Sequence, residues 1–118
     1  LKLNISSELQ LPIEAVTQTF AILAKRGVGK TYTGCVMVEE MLGADYQVVV
    51  ADPVGVWWGL RSSADGKAPG FKIVVFGGEH ADVPLEEHSG EVIAGAIVEH
   101  GLSAILDLSL LRKGAQVR

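Results

Sequence analysis

The stretch TFAILAKRGVGKTYT, from Thr19 to Thr33, runs an apolar segment straight into a glycine-bearing turn and then into a helical pattern. TFAILA (19–24) has no polar alternation, the pattern of a strand covered on both faces. KTYTGCVMVEEML (30–42) sets Tyr32, Cys35, Val36, Val38, Met41 and Leu42 near helical spacing, and Gly43 is placed to end that helix. YQVVVAD (46–52) is again β-branched and apolar. Strand, turn, helix and strand in this order predict one right-handed βαβ unit.

The rest of the chain extends the same plan. Pro12 opens a short helical turn, LPIEAVTQ, because its missing N–H is not needed at a first helical position. After Asp52 comes PVGVWWGLRSSADGKAPG (53–70), rich in glycine and with an Asp-Gly turn signal, so it reads as a loop. FKIVVF (71–76) is a third strand and GGEHADVPLEEHSG (77–90) a second loop. EVIAGAIVEH (91–100) is a second helix stopped by Gly101, and LSAILDLS (102–109) is a fourth buried strand. The expected fold is α/β, a mostly parallel sheet with flanking helices, with ligands at the carboxyl ends of the strands. Residues 1–118 read as the N-terminal part of a single domain, with about 1–18 a lead-in segment and 19–118 its ligand-binding core.

The turn carries a chemistry of its own. AKRGVGKT, Ala24 to Thr31, fits G-x-x-x-x-G-K-[ST] at every fixed position except the first, where alanine replaces glycine. A triphosphate packs several negative charges into a small volume, and a loop of backbone N–H groups ending in a helix N-terminus wraps it. Lys25 and Arg26 either add charge at the rim or simply face solvent. Gly27, Val28 and Gly29 supply the cradle, continued by the amides of Lys30, Thr31 and Tyr32. Lys30 reaches the β- and γ-phosphates and stabilises their charge, and Thr31 gives its hydroxyl to Mg²⁺. Ala24 is tolerated at the turn out of the strand provided its φ stays negative. An ordinary strand-to-helix turn is the rival reading, and the flanking strand and helix favour the phosphate loop. ATP and Mg²⁺ are the expected ligands.

Composition narrows the partners. A net charge of −4 gives no broad basic surface, so strong nucleic-acid binding by this chain alone is not expected. The single cysteine, Cys35, excludes an internal disulfide and a Cys-rich zinc site, and fits a reducing cytoplasm. No apolar run approaches the ~20 residues of a membrane span. At 118 residues, starting at Leu1, the chain suits one small α/β domain and reads as a piece of a longer protein.

AILAKRGVGKTYT, VVVADPVGVWWGLRSSADGKAPGF, VVFGGEHADVPLE and AILDLSLL together resemble the central ATPase domain of the HerA-like helicases, within the HerA/FtsK class of P-loop motor ATPases. The resemblance implies the N-terminal part of a P-loop, RecA-like ATPase domain. It also implies an ATP-driven DNA translocase that assembles as a homo-oligomeric ring and often works with a nuclease. That family carries a strand ending in Asp-Glu, for Mg²⁺ and for the attacking water. The nearest counterpart here is SAILD, whose Asp107 is followed by Leu108 and Ser109. The resemblance places the true Asp-Glu strand, a glutamine sensor and later arginines beyond Arg118. Asp107 is thus a weak candidate for the magnesium aspartate, against a polar residue closing a buried strand.

Other residues have two readings each. Asp52, before Pro53, is either a magnesium ligand or a turn former. Trp57 and Trp58 stack on a base or, more usually, pack over a core. Arg61 is a finger toward a neighbour's nucleotide or a solvated arginine. Glu79, His80, Glu86, Glu87 and His88 match no zinc spacing and read as a solvated loop entering a helix. Two rivals to the motor remain: a small-molecule phosphotransferase on a P-loop fold, with GLRSSADGK as its lid, and a nucleotide-binding module without turnover.

Overall fold

The computed structural model describes residues 1–111, which fall into two compact units, Leu1–Tyr46 and a second beginning at Gln47. In the first, β1 (Lys2–Asn4) pairs antiparallel with β2 (Gln10–Pro12), Leu3 opposite Leu11. The Ser6 hydroxyl accepts from the amides of Glu8 and Leu9 at 3.2 and 3.0 Å and so shapes the hairpin turn. Pro12 ends β2 and precedes a 3₁₀ turn, Ile13–Thr17, rather than occupying its first helical position. The hairpin is a feature that the sequence patterns did not announce.

Helix α1 (Lys30–Gly43) follows the glycine loop, as expected. It runs through Gly43, and the chain turns left-handed only at Asp45, with φ 60°. The Glu40 carboxylate accepts the Asn4 amide at 2.8 Å and ties α1 to β1. Residues 19–24 form no strand: Phe20, Ile22 and Leu23 are 49%, 40% and 88% exposed. A doubly covered strand exists only where neighbours pair with it, and within the first unit β1 and β2 pair only with each other. The βαβ unit expected around the glycine loop is therefore not formed among the described residues.

The second unit holds the parallel sheet. Strands β3 (Val49–Asp52), β4 (Val74–Phe76) and β5 (Ala104–Asp107) lie in the order β3-β5-β4, all parallel. Helix α2 (Gly90–His100) connects β4 to β5 and stops at Gly101, whose φ of 60° suits glycine. Ile93 and Ile97 of α2 pack with Phe76 and Ala104 as one core, extended by Val74, Leu85 and Leu106. Val50, Val75 and Ile105 are buried as well, as is Leu60 from a 3₁₀ turn at Trp57–Arg61. Residues 53–70 make no strand, yet they are ordered. Phe71 and Gly70 donate to the Leu60 and Arg61 carbonyls at 2.9 and 2.8 Å, and a Cβ on Gly70 would collide with that backbone. At the tip of this loop the Ser63 hydroxyl and then the Lys67 amide bond to Asp65 and hold its carboxyl below the ordinary range.

Candidate functional site

Within the first unit the glycine loop stands open, with residues 19–29 all exposed. Gly27 and Gly29 adopt φ of 82° and 93°, where side chains other than glycine are strained. Among the described residues Asp45 is the only non-glycine at positive φ, so Ala24 meets the condition for replacing a glycine. Gly29 heads α1 without a side-chain cap, and helix geometry leaves the first-turn amides of Lys30, Thr31 and Tyr32 without intrahelical acceptors. Thr33 fastens loop to helix by bonding the Gly29 carbonyl through its amide at 3.0 Å and its hydroxyl at 3.1 Å. The Lys30 ammonium folds back onto the loop, donating to the carbonyls of Ala24 at 2.9 Å and Lys25 at 2.8 Å. Position 24 thus contributes through its backbone, which any residue supplies.

The carboxyl edge of the sheet, in the second unit, gathers the other candidates. Asp52 is 1% exposed. Its Oδ1 accepts the amides of Val54 and Gly55 at 3.1 and 2.8 Å, and its Oδ2 those of Val56 and Trp57 at 2.8 and 2.9 Å. A carboxylate has about four acceptor positions. All are used, so of the two roles open to Asp52 the geometry displays the turn former. Asp107, opposite Asp52 in register, is 3% exposed and takes the Ser109 amide and hydroxyl on Oδ1 at 3.0 and 2.6 Å. Gly55 and Gly78, with φ of 84° and 73°, lie against this carboxylate, and a Cβ on Gly78 would overlap it.

The family described as "Helicase HerA, central domain" matches residues 3–77, more than half of the chain. The chain belongs to that family. Comparison with curated proteins and with solved structures gives no match. The HerA match takes in the glycine loop, Asp52, both tryptophans and Arg61, whereas Glu79, His80 and Asp107 lie past its end. Membership suggests an ATPase of the helicase-motor type. No helix among the described residues is long and apolar enough to cross a membrane.

In this HerA-family chain Trp58, 39% exposed, stacks on His80 with ring centroids 3.8 Å apart and planes inclined by 19°. Arg61 pairs with Asp82 at 2.7 Å, and the other Asp82 oxygen accepts the Val75 amide at 2.9 Å. The stack contributes about 0.5–1.5 kcal/mol and the half-exposed ion pair below ~1 kcal/mol. Together they fasten the loop after β4 to the 3₁₀ turn. No three His, Cys, Asp or Glu side chains among the described residues are placed to chelate a metal. A cavity of about 420 Å³ between α2 and β3 is lined mainly by aliphatic side chains and offers little to a phosphate. Sequence reasoning passed over Ser109, Gly55, Gly78 and Asp82. The Asp-Leu-Ser ending of β5 and the Gly-Gly pair after β4 were the available signals.

Proposed function

We propose that this chain binds Mg-ATP through residues 24–32, as the N-terminal part of a single RecA-like P-loop domain in an ATP-driven DNA translocase. The observation that carries the reading is the uncapped N-terminus of α1, preceded by two positive-φ glycines with the Lys30 ammonium held at the loop. Open amides, a helix dipole and a cation held by two exchangeable carbonyl bonds fit a phosphate group. The HerA match supports one domain, because it runs from β1 past β4 and contains the loop.

Each residue has a task in this reading. The amides of Gly27 to Tyr32 bind and orient the phosphates, while Gly27 and Gly29 let the backbone approach. Lys30 exchanges its bonds to Ala24 and Lys25 for the β- and γ-phosphate oxygens, and Thr31 presents a hydroxyl to Mg²⁺. The bound metal would neutralise charge on the transferring phosphoryl group. A homo-oligomeric ring in the cytoplasm, acting on DNA and working with a nuclease, completes the proposal.

Lys30→Ala tests the cradle. It should weaken ATP binding by about 1.5–3 kcal/mol, the range for a charge-assisted hydrogen bond, or about 10- to 150-fold. Titration of labelled ATP against both proteins measures this, and equal affinities would discard the phosphate-loop reading. The same chain should show negligible ATP turnover, because Asp52 is followed by proline and Asp107 by leucine, with no glutamate placed to orient water. Magnesium-dependent hydrolysis that disappears in Asp107→Asn would contradict this and make β5 the Asp-Glu strand's equivalent.

A further inference from the structure

The tip of the 53–70 loop carries a reactivity of its own. Asp65–Gly66 is the one Asp-Gly pair in the chain, and Asn-Gly does not occur. Glycine has no side chain to shield its nitrogen, so the Gly66 amide nitrogen can attack the carboxyl carbon of Asp65. The N–Cγ bond forms, the carboxyl C–OH bond breaks, and the amide proton leaves with the hydroxyl as water. A second water then opens the five-membered imide at either carbonyl. Opening on the backbone side reroutes the chain through Cγ as isoaspartate, with no net change in mass. No oxidant, reductant or cofactor takes part.

The fold opposes each requirement of that reaction. The Ser63 hydroxyl and the Lys67 amide both donate to Asp65 Oδ1, at 2.6 and 3.1 Å, so the carboxyl turns toward Gly66 only by giving up two bonds. The same bonds hold the carboxyl below its ordinary range, and a carboxylate has no hydroxyl to lose. The attacking nitrogen is engaged as well, since the Gly66 amide donates to the Ser63 carbonyl at 2.9 Å. Ser63 also secures the returning chain: its amide donates to the Ala68 carbonyl at 2.9 Å and its hydroxyl accepts the Ala68 amide at 3.0 Å. One serine thus ties down the aspartate, the nucleophile and the turn between them.

We propose that Asp65–Gly66 is a latent isoaspartate site that Ser63 holds closed, so that the loop is modified there once the Ser63 contacts open. Both residues of the pair are exposed, which leaves water free to open the imide. The added backbone methylene falls just before a segment with little slack. Gly70 and Phe71 bond the Arg61 and Leu60 carbonyls, and Gly70 already lies too close to that backbone for a Cβ. Rearrangement therefore strains the pairing that carries Arg61 to its ion pair with Asp82. The site lies in the second unit and does not depend on the phosphate-loop reading.

Ageing the intact chain at neutral pH and body temperature tests this. Trypsin releases residues 62–67, whose aspartyl and isoaspartyl forms are separated and counted by chromatography with electron-transfer mass spectrometry. A synthetic peptide of residues 58–71, aged alongside, gives the unprotected rate. The folded chain should accumulate isoaspartate at least about tenfold more slowly than the peptide, because reaction waits on local opening. Ser63→Ala should speed accumulation in the chain about fivefold or more and leave the peptide rate unchanged. Ser63→Thr keeps the hydroxyl and should age like the wild type. Near-ultraviolet circular dichroism verifies that each variant is folded, and if Ser63→Ala is not, Ser63→Thr and the chain-to-peptide ratio decide. Equal rates in chain and peptide overturn the proposal. So does a folded Ser63→Ala that ages no faster, or a Ser63→Thr that ages as fast as the peptide.

Discussion

Asp52→Ala is expected to destabilise the second unit by roughly 2–4 kcal/mol, because four part-buried amides lose their acceptor and each faces a desolvation cost of about 1–3 kcal/mol, largely recovered where it can enter water. The four bonds of 2.8–3.1 Å wrap Val54 to Trp57 around one carboxylate, and the turn they make leads into the 3₁₀ segment that buries Leu60. Loss of the carboxylate therefore frees the turn and the packing behind it. Asp52→Asn keeps the volume and one oxygen but sets an NH₂ against two donors, so it should fall between. Urea unfolding should show the alanine midpoint lower by at least ~1 M, with faster amide exchange at Val54 to Trp57. An unchanged midpoint would mean that the turn holds without its carboxylate.

The other large effect concerns the motor. In the whole protein, ATP turnover per subunit should climb with protein concentration as rings assemble, and again when duplex DNA is added. A transition-state arginine supplied by a neighbour is worth ~10³–10⁵ in rate, which dwarfs anything a residue within this chain can add by positioning alone. The net charge of −4 predicts that this chain by itself binds DNA poorly, so the DNA response should require the assembled ring. Light scattering for size, paired with turnover measured with and without duplex DNA, separates the readings. A phosphotransferase would turn over at a rate per subunit independent of concentration and need a small acceptor. A monomer indifferent to DNA would end the motor reading and leave the phosphate loop standing.

Much of the second unit was legible beforehand for local reasons. YQVVVAD, FKIVVF and SAILD are apolar, β-branched runs, and each contains a strand. EVIAGAIVEH has helical spacing and a glycine stop, and it became α2 with Gly101 at positive φ. The glycine loop was readable because positive φ is a property of single residues, and Gly27 and Gly29 show it. Gly43 is the last residue of α1, as expected, and the left-handed turn follows two residues later at Asp45.

By itself the sequence determined where the strands and helix of the second unit lie, that a helix follows the glycine loop, and which glycines there turn left-handed. Those properties depend on a residue's own torsional freedom and on the spacing of its near neighbours. Only the tertiary structure decided that β5 enters between β3 and β4, which brings Asp107 beside Asp52 and the Gly55 and Gly78 backbones around it. Only there did Asp52 become a saturated turn anchor and Asp107 a buried carboxylate bonded to Ser109. The reason is that strand order and burial arise from contacts between residues more than fifty positions apart, as Asp52 and Asp107 are. TFAILA makes the same point in reverse: its apolar pattern qualifies it as a buried strand, yet without a pairing strand it stays exposed.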